Sequence, residues 1–246
     1  MSLNPIEIKE GAFIVSDAHY SQQRPELLTL LQDIEAGEVV ATQLIFMGDI
    51  FDALFGSIEF TCKQNMQMIA LINSISKRIE IIYLEGNHDF NLQKIFLHVK
   101  VFPIQNQPVI AQYKGKKVYL AHGDFAGENL YGTYTALIRN PNVLYCLKYI
   151  DIFFNHAILK KLDAYLGKKE DCKKFENFHE FIEERLGLKY KCDYFIEGHF
   201  HQNISFDVKN FYYINLGAFA CNQRYFIVKS GQKKELLEEK KFSKGI

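Results

Sequence analysis

The chain has 246 residues, 48% of them hydrophobic, with Lys+Arg and Asp+Glu equal at 29 each. That length suits one α/β domain, and the apolar fraction is large enough to form a sizeable core. A formal net charge of zero weighs against general binding to a phosphate backbone, so we expect no nucleic-acid partner. The first ten residues are too polar for a signal peptide.

Cysteine usage points to a reducing, cytoplasmic environment. The five cysteines are scattered, and none belongs to a CxxC pair. We therefore expect neither a zinc ribbon nor a disulfide framework. The cysteines are Cys62, Cys146, Cys172, Cys192 and Cys221.

The longest apolar stretch, Val143 to Leu162, is interrupted by several polar and charged residues, Lys148 and Asp151 among them. A membrane-spanning helix should not carry so many charges. We interpret this stretch as an amphipathic helix.

Five short apolar runs, at residues 12–15, 44–47, 81–84, 118–121 and 194–196, each lead into Asp, Asn or His. Such runs are typical of strands buried on both faces. Helices are predicted between the first three, one from Pro25 to about Gly37 and one from Thr61 to Lys77. This alternation predicts a largely parallel sheet covered on both faces, with its chemistry beyond the carboxyl ends of the strands.

From Ala126 to Leu188 the strand pattern gives way to helical, aromatic-rich sequence. Strand-like runs resume at Asp193 and continue through 211–215 and 225–228. We interpret residues 126–188 as a helical insertion, a cap, within a single domain that spans residues 1–246.

The polar side chains at the predicted strand ends have the chemistry of metal ligands. Carboxylate, imidazole and amide oxygen bind Mn²⁺, Fe²⁺ or Zn²⁺ without any thiolate. Seven such groups are too many for one tetrahedral site and suit two ions that share a carboxylate. A lone His at a strand end is usually just hydrogen-bonded, but five clusters in the order DxH, GDxxD, GNHD, HGD and GHxH favour a site. The candidate ligands are Asp17, His19, Asp49, Asn87, His122, His199 and His201.

These clusters resemble the calcineurin-like metallophosphoesterase superfamily, and the matching blocks span most of the chain. The resemblance implies a four-layer α/β/β/α sandwich with a helical cap insertion and two divalent ions, commonly Mn²⁺. It implies that Asp49 bridges the two ions. The first ion would be held by Asp17, His19, Asp49 and His201, and the second by Asp49, Asn87, His122 and His199. The blocks are Asp17-Ala18-His19, Gly48-Asp49-Ile50-Phe51-Asp52, Gly86-Asn87-His88-Asp89, His122-Gly123-Asp124 and Gly198-His199-Phe200-His201.

Two adjacent cations can lower the pKa of a bridging water, and the resulting hydroxide then attacks a phosphate ester or pyrophosphate in line with the leaving group. His88 is our candidate to hydrogen-bond the phosphoryl group or to protonate the leaving oxygen, with Asp89 orienting its imidazole. Asp52 and Asp124 are either turn-capping carboxylates or supports for the ligands, and the sequence leaves both interpretations open.

The segment Glu128 to Pro141 resembles the helical cap of UDP-2,3-diacylglucosamine pyrophosphatases of lipid A biosynthesis. That resemblance implies cleavage to UMP and 2,3-diacylglucosamine 1-phosphate. It also implies contact with the inner membrane surface, where the helix from Tyr145 to Lys161 would lie. One departure is His88, where those enzymes have Arg. Substrate contacts are expected from Asn87, His88, Glu128, Tyr131 and Lys173.

Two alternatives remain open at this stage. The substrate could be a soluble nucleotide or another phosphodiester, which would not need an apolar cap. The chain could also be a non-catalytic scaffold on the same fold, although it retains every candidate ligand.

Overall fold

A computed structural model describes residues 5–126, 137–154, 157, 161, 172–230 and 236–243. Within these residues, fourteen strands form two six-stranded sheets and one two-stranded sheet. The strands are β1 (Ile6–Glu7), β2 (Phe13–Val15), β3 (Gln43–Phe46), β4 (Leu54–Phe55), β5 (Glu80–Leu84), β6 (Asp89–Phe90), β7 (Lys100–Phe102), β8 (Val109–Tyr113), β9 (Lys116–Ala121), β10 (Tyr194–Glu197), β11 (Ile204–Val208), β12 (Phe211–Asn215), β13 (Arg224–Val228) and β14 (Leu237–Lys241). The α-helices are α1 (Glu26–Ala36), α2 (Glu59–Gln64), α3 (Met66–Ile75), α4 (Pro141–Phe153), α5 (Phe178–Leu186) and α6 (Phe219–Asn222).

The two large sheets contain six strands each. One has the strand order β14-β13-β2-β3-β5-β7, in which β2, β3, β5 and β7 run parallel to one another. The other has the order β1-β8-β9-β10-β12-β11, with β9, β10 and β12 parallel. All five apolar runs of the sequence are strands in these sheets.

The sheets pack face to face and carry helices on their outer faces. Ile14 and Ile45 of one sheet share an apolar core with Leu120 and Ile196 of the other. Helices α1 and α3 cover the outer face of the first sheet, and α5 packs on the outer face of the second. The four-layer α/β/β/α architecture implied by the resemblance is confirmed. The simpler expectation of one sheet covered on both faces is wrong, because the strands are divided between two sheets.

The helices α1, α2 and α3 lie where the sequence pattern predicts helix, except that one predicted helix is broken into two. Helix α1 ends at Gly37, whose φ of 80° and N–H bonds to Asp33 and Ile34 form a left-handed cap. The single helix predicted from Thr61 to Lys77 is two helices, α2 and α3. Between them, the Asn65 side chain donates to the carbonyls of Ala53 and Thr61.

The described part of the predicted insertion is largely helical, with irregular backbone at residues 172–177. Helix α4 begins after Asn140, whose side chain accepts a hydrogen bond from the Asn142 N–H. Leu144 of α4 packs against Ile58 and Phe90 of the core domain. Residues 127–136 and most of 155–171 lie outside the described residues, so the bounds of the insertion stay a prediction. Among the residues that the structure describes, no helix is long and apolar enough to cross a bilayer.

One covalent link contradicts the sequence analysis. Cys172 and Cys221 form a disulfide, with an S–S distance of 2.12 Å and a Cα–Cα distance of 5.9 Å. The expectation of no disulfide was wrong here because these cysteines, 49 positions apart, follow no recognisable spacing. The bond joins the later part of the predicted insertion, before α5, to α6.

Candidate metal centre

The loops after five parallel strands bring the candidate ligands to one edge of the sandwich. Three of these loops follow β2, β3 and β5 of one sheet, and two follow β9 and β10 of the other. The His199 N–H donates to Asp17 Oδ2 at 2.9 Å, which joins loops from opposite sheets. The edge between the sheets is therefore where the candidate ligands meet.

Five of the seven candidates have a left-handed backbone, which non-glycine residues seldom adopt. Hydrogen bonds from neighbouring loops maintain this conformation: Asp17 N–H donates to Gly48 O at 3.1 Å, and His19 N–H to Asp49 O at 3.0 Å. Such strain is concentrated at functional sites. Their φ angles are 51° for Asp17, 45° for His19, 51° for Asp49, 62° for His199 and 59° for His201.

The first donor group consists of Asp17, His19 and His201. One ligand atom from each lies within 4.8 Å of the others. His201 Nε2 is 3.1 Å from Asp17 Oδ1. Burial by itself would raise the pKa of Asp17, but the charge and hydrogen bond of His201 more than offset this and hold that pKa well below its usual range. Asp17 is therefore an ionised carboxylate in a buried site.

The second donor group consists of Asp49, His122 and His199, also within 4.8 Å. His122 Nε2 lies 3.4 Å from Asp49 Oδ2 and 3.2 Å from His199 Nδ1. Asn87 Oδ1 is 3.4 Å from the same His122 nitrogen and so joins this group. The structure thus places all seven candidates in two neighbouring clusters.

The electrostatics of the second group favour a cation. Burial lowers the pKa of His122, yet attraction to Asp49 raises it well above its ordinary value. Burial and then repulsion by His122 lower the pKa of His199 to about 4, so its ring is neutral at pH 7. The site therefore favours a positive charge between Asp49 and His122. The neutral ring of His199 has a nitrogen lone pair that can coordinate a cation there.

The local geometry also fits divalent ions. His122 Nδ1 is 2.9 Å from the Met47 carbonyl, which can only accept a hydrogen bond, so Nε2 is left to face the group. Gly48 has a φ of 91°, and a Cβ there would lie only 2.4 Å from His122 Nδ1. The nitrogen and oxygen donors suit Mn²⁺, Fe²⁺ or Zn²⁺. These residues therefore fit a centre of two divalent ions.

His88 lies between the two groups. Its backbone N–H donates to Asp49 Oδ1 at 2.8 Å, and its ring packs edge-on against that of His19 with centroids 4.7 Å apart. Its Nδ1 is 2.8 Å from the Asp52 carbonyl oxygen and 3.9 Å from the Asp52 carboxylate. Asp52 is also 3.6 Å from His19 Nδ1. Of the two interpretations left open for Asp52, these contacts favour a supporting role.

Asp89 does not contact the His88 ring as predicted. Its carboxylate instead accepts hydrogen bonds from Tyr83 Oη, at 2.6 Å, and from four backbone N–H groups, including that of Asp49. Burial and then the charge of Asp49 raise the pKa of Asp89 to about 7, against the effect of these hydrogen bonds. Asp89 therefore shapes the loop that carries Asp49, and the orienting role that we predicted for it was wrong.

The sequence analysis missed two other buried side chains that support the loops. The Gln107 side chain accepts from the His122 N–H at 2.7 Å and donates to the Glu85 carbonyl at 2.8 Å. Arg139 pairs with Asp124 at 2.9 Å and donates to the Gly86 carbonyl at 2.9 Å. Asp124 is thus an ion-pair partner as well as a turn residue. No local motif marks these contacts, because each joins distant segments.

The three predicted substrate contacts outside the GNHD block have different outcomes. Glu128 and Tyr131 lie outside the described residues. Lys173 is exposed on a segment that Gln202 fixes beside the His201 loop. The Gln202 amide donates to the Lys173 carbonyl at 3.0 Å and accepts from the Phe175 N–H at 2.8 Å.

The chain belongs to the calcineurin-like phosphoesterase family, whose family model matches residues 12–203. That span contains all seven candidate ligands. The chain is therefore a metal-dependent phosphoesterase, a hydrolase.

Curated relatives called UDP-2,3-diacylglucosamine hydrolase are similar to it. The protein from Pseudomonas fluorescens (strain Pf0-1) is 27% identical over 194 residues, which cover 77% of this chain and 78% of the relative. The protein from Pseudomonas syringae pv. tomato is 28% identical over 152 residues, which cover 61% of each. The chain thus spans less than two thirds of the length of that second relative.

Solved structures are similar at a lower level. The Yfce phosphoesterase from E. coli has a TM-score of 0.47 and 14% identity, over 89% of this chain and 88% of that one. Vacuolar Protein Sorting 29 from Cryptosporidium parvum has a TM-score of 0.41 and 13% identity, over 96% of this chain and 100% of that one.

Proposed function

We propose that this protein hydrolyses the pyrophosphate bond of UDP-2,3-diacylglucosamine, releasing UMP and 2,3-diacylglucosamine 1-phosphate, with two Mn²⁺ ions as cofactors. The convergence of two buried donor groups at one edge of the sandwich carries the proposal for the chemistry. The names of the similar hydrolases support the choice of substrate. We retain the organisation as one domain with a cap at residues 126–188 as part of this proposal.

The seven ligands would divide as the resemblance implies. Asp17, His19 and His201 would hold one ion, and Asn87, His122 and His199 the other. Asp49 would bridge them. When bound, two such ions activate water as a nucleophile and neutralise phosphate oxygens as charge develops on them. The residues of the chain fix the ligand positions in advance, through buried hydrogen bonds and the strained loop backbone.

His88 would act on the phosphoryl group or on the leaving oxygen. Because the Asp52 carbonyl accepts from Nδ1, the opposite nitrogen, Nε2, remains to meet substrate. The Asp52 carboxylate lies 3.9 Å from Nδ1 on that side of the ring. As a general acid, His88 would donate a proton from Nε2 to the departing oxygen as the P–O bond breaks. Asn87, beside it, would contact a phosphoryl oxygen.

Lys173 would bind phosphate from the side of the first donor group. Gln202 follows the ligand His201 directly in the chain and holds the Lys173 segment through two hydrogen bonds. A cationic side chain on a fixed segment suits an anionic diphosphate. Glu128 and Tyr131 would contribute from the cap.

We also propose contact with the cytoplasmic membrane surface through α4. Tyr145, Tyr149 and Phe153 are 61%, 52% and 83% exposed on this helix. An acylated substrate resides in a membrane, and exposed aromatic side chains favour the interface between lipid and water. Flotation with anionic vesicles tests this contact, and a Phe153→Asp variant that floats as well as the wild type would contradict it.

The test of the function is hydrolysis of UDP-2,3-diacylglucosamine by the purified protein, with and without added Mn²⁺, followed by separation of the products. We expect release of UMP and the lipid 1-phosphate that depends on Mn²⁺. Diadenosine tetraphosphate and a generic phosphodiester serve as comparison substrates. Faster turnover of either one would contradict the lipid substrate while leaving the metal centre in place. The absence of both metal binding and hydrolysis would contradict the proposal that this protein is a metal-dependent enzyme.

A further inference from the structure

A buried arginine of α5 joins the loops that carry two histidines of the second donor group. The Arg185 side chain is only 8% exposed. Its guanidinium donates to both oxygens of Glu197, at 2.8 and 2.9 Å, and to the Gly123 carbonyl at 2.6 Å. It also lies 5.0 Å from the ring centroid of Phe125 and 5.2 Å from that of Phe200.

The partners of Arg185 lie close to the ligands along the chain. Gly123 follows His122 directly, and Glu197 comes two residues before His199. The two loops also touch: Gly123 has a φ of 137°, and a Cβ on it would lie 2.7 Å from His199 Cβ. Arg185 thus holds together two loops whose histidine nitrogens are 3.2 Å apart.

Stability alone is a weak explanation for this cluster. A buried ion pair often contributes no more to stability than well-packed apolar residues would, because both charges lose their hydration. Here the planar guanidinium uses its fixed directions to bind a carboxylate on one loop and a carbonyl on the other. That arrangement fixes a distance between two loops, which an apolar cluster would do less accurately.

We propose that Arg185, together with Glu197, is a positioning residue that sets the spacing of His122 and His199 and thereby the affinity of the second metal site. The inference rests on the two-ion centre of the proposed function. The first site should depend on it less, because Asp17 and His19 lie on the β2 loop, which is fixed by the backbone of the β3 loop. Of the proposed ligands of the first site, only His201 lies on the loop that follows Glu197.

The experiment is a Mn²⁺ titration of metal-free protein by calorimetry, with electron paramagnetic resonance to detect coupled Mn²⁺ pairs. We expect Arg185→Lys to weaken one of two binding steps about tenfold, to leave the other unchanged and to reduce the coupled signal. His122→Ala should remove the same step, which assigns it to the second site. Glu197→Gln is a second variant that keeps side-chain volume, in case Arg185→Lys does not fold.

Tyr213→Phe is the matched control. Tyr213 Oη donates to the same Glu197 carboxylate at 2.8 Å, so its loss perturbs the buried cluster while leaving the link to Gly123 intact. It should lower the melting temperature without changing either Mn²⁺ affinity. The proposal would be overturned by equal weakening of both steps in Arg185→Lys, or by a lower melting temperature with both affinities intact. Failure of the wild-type protein to bind any Mn²⁺ would instead reject the two-ion centre itself.

Discussion

The two donor groups each contain a carboxylate and two histidines, and the second also contains the amide oxygen of Asn87, but the contacts that support them differ. In the first, Asp17 and His19 lie on a strained turn, and the His201 side chain is 9% exposed. In the second, His122 is fully buried, and Met47, Gln107 and the Arg185 cluster fix its loop from three directions. Ligand charge alone would favour the first site, which has the carboxylate of Asp17 where the second has the amide of Asn87. We expect the contacts around His122 to add to the affinity of the second site.

The largest effect should come from Asp49→Ala, which removes the proposed bridge between the groups. We expect loss of both metal ions and of all hydrolysis, because each site loses a charged ligand. Metal content by mass spectrometry and turnover measure this. Asp193→Ala is the control, since Asp193 is exposed and pairs with Lys116 far from the site. A normal metal content in Asp49→Ala would refute the bridge.

His88→Ala removes a ring that packs against His19 without being a proposed ligand, and it keeps the backbone N–H that donates to Asp49. We expect both ions to remain and kcat to fall about 10²–10⁴-fold, the usual contribution of a general acid. Steady-state kinetics and metal analysis on the same preparation separate these effects. His98→Ala, at an exposed histidine, should behave as the wild type. Unchanged turnover would exclude His88 from the reaction.

Gln107→Leu tests the support of the second group alone. It leaves the buried His122 N–H without its side-chain partner, so we expect about tenfold weaker Mn²⁺ binding in one step and no change in the other. Calorimetric titration measures both steps. Gln112→Leu replaces an exposed glutamine that bonds to Glu7 and should change neither. Equal weakening of both steps would remove the distinction between the groups.

Lys173→Ala should have the smallest effect. This lysine lies on the segment that Gln202 holds beside the loop of His201, a member of the first donor group. We expect KM to rise about two- to fivefold with kcat unchanged, the size of an exposed ionic contact. Initial rates over a range of substrate concentrations give both constants. Lys189→Ala is the control, because this lysine is also exposed. A KM equal to that of the wild type would remove Lys173 from substrate binding.

The sequence predicted the location of the site better than the architecture around it. Each apolar run leads into a metal-ligand type of residue, and parallel strands bring such ends together, so all seven candidates could be identified. The division of strands between two sheets could not be predicted from the runs themselves, because strands buried on both faces look alike in either arrangement. The two-sheet architecture was implied only by the family resemblance.

The errors have local physical causes. Asp89 follows His88 in the chain, which suggested contact, but His88 lies in the bend before β6 and its ring faces the Asp52 carbonyl instead. Asp89 turns toward Tyr83. Gln107, Arg185 and Glu197 stand in ordinary surroundings in the sequence, and only the folded chain shows what they touch. The same is true of the link between Cys172 and Cys221.

That disulfide has a consequence for the unfolded chain. It closes a covalent ring that contains α5, three strands and both His199 and His201. A ring of this size lowers the conformational entropy of the unfolded ensemble, an effect worth about 4 kcal/mol in the chain-entropy account. When thermal fluctuations open this part of the fold, the two histidines cannot diffuse far from α6. For these two histidines, refolding is then a search within a closed ring, and a thiol reductant would lengthen that search.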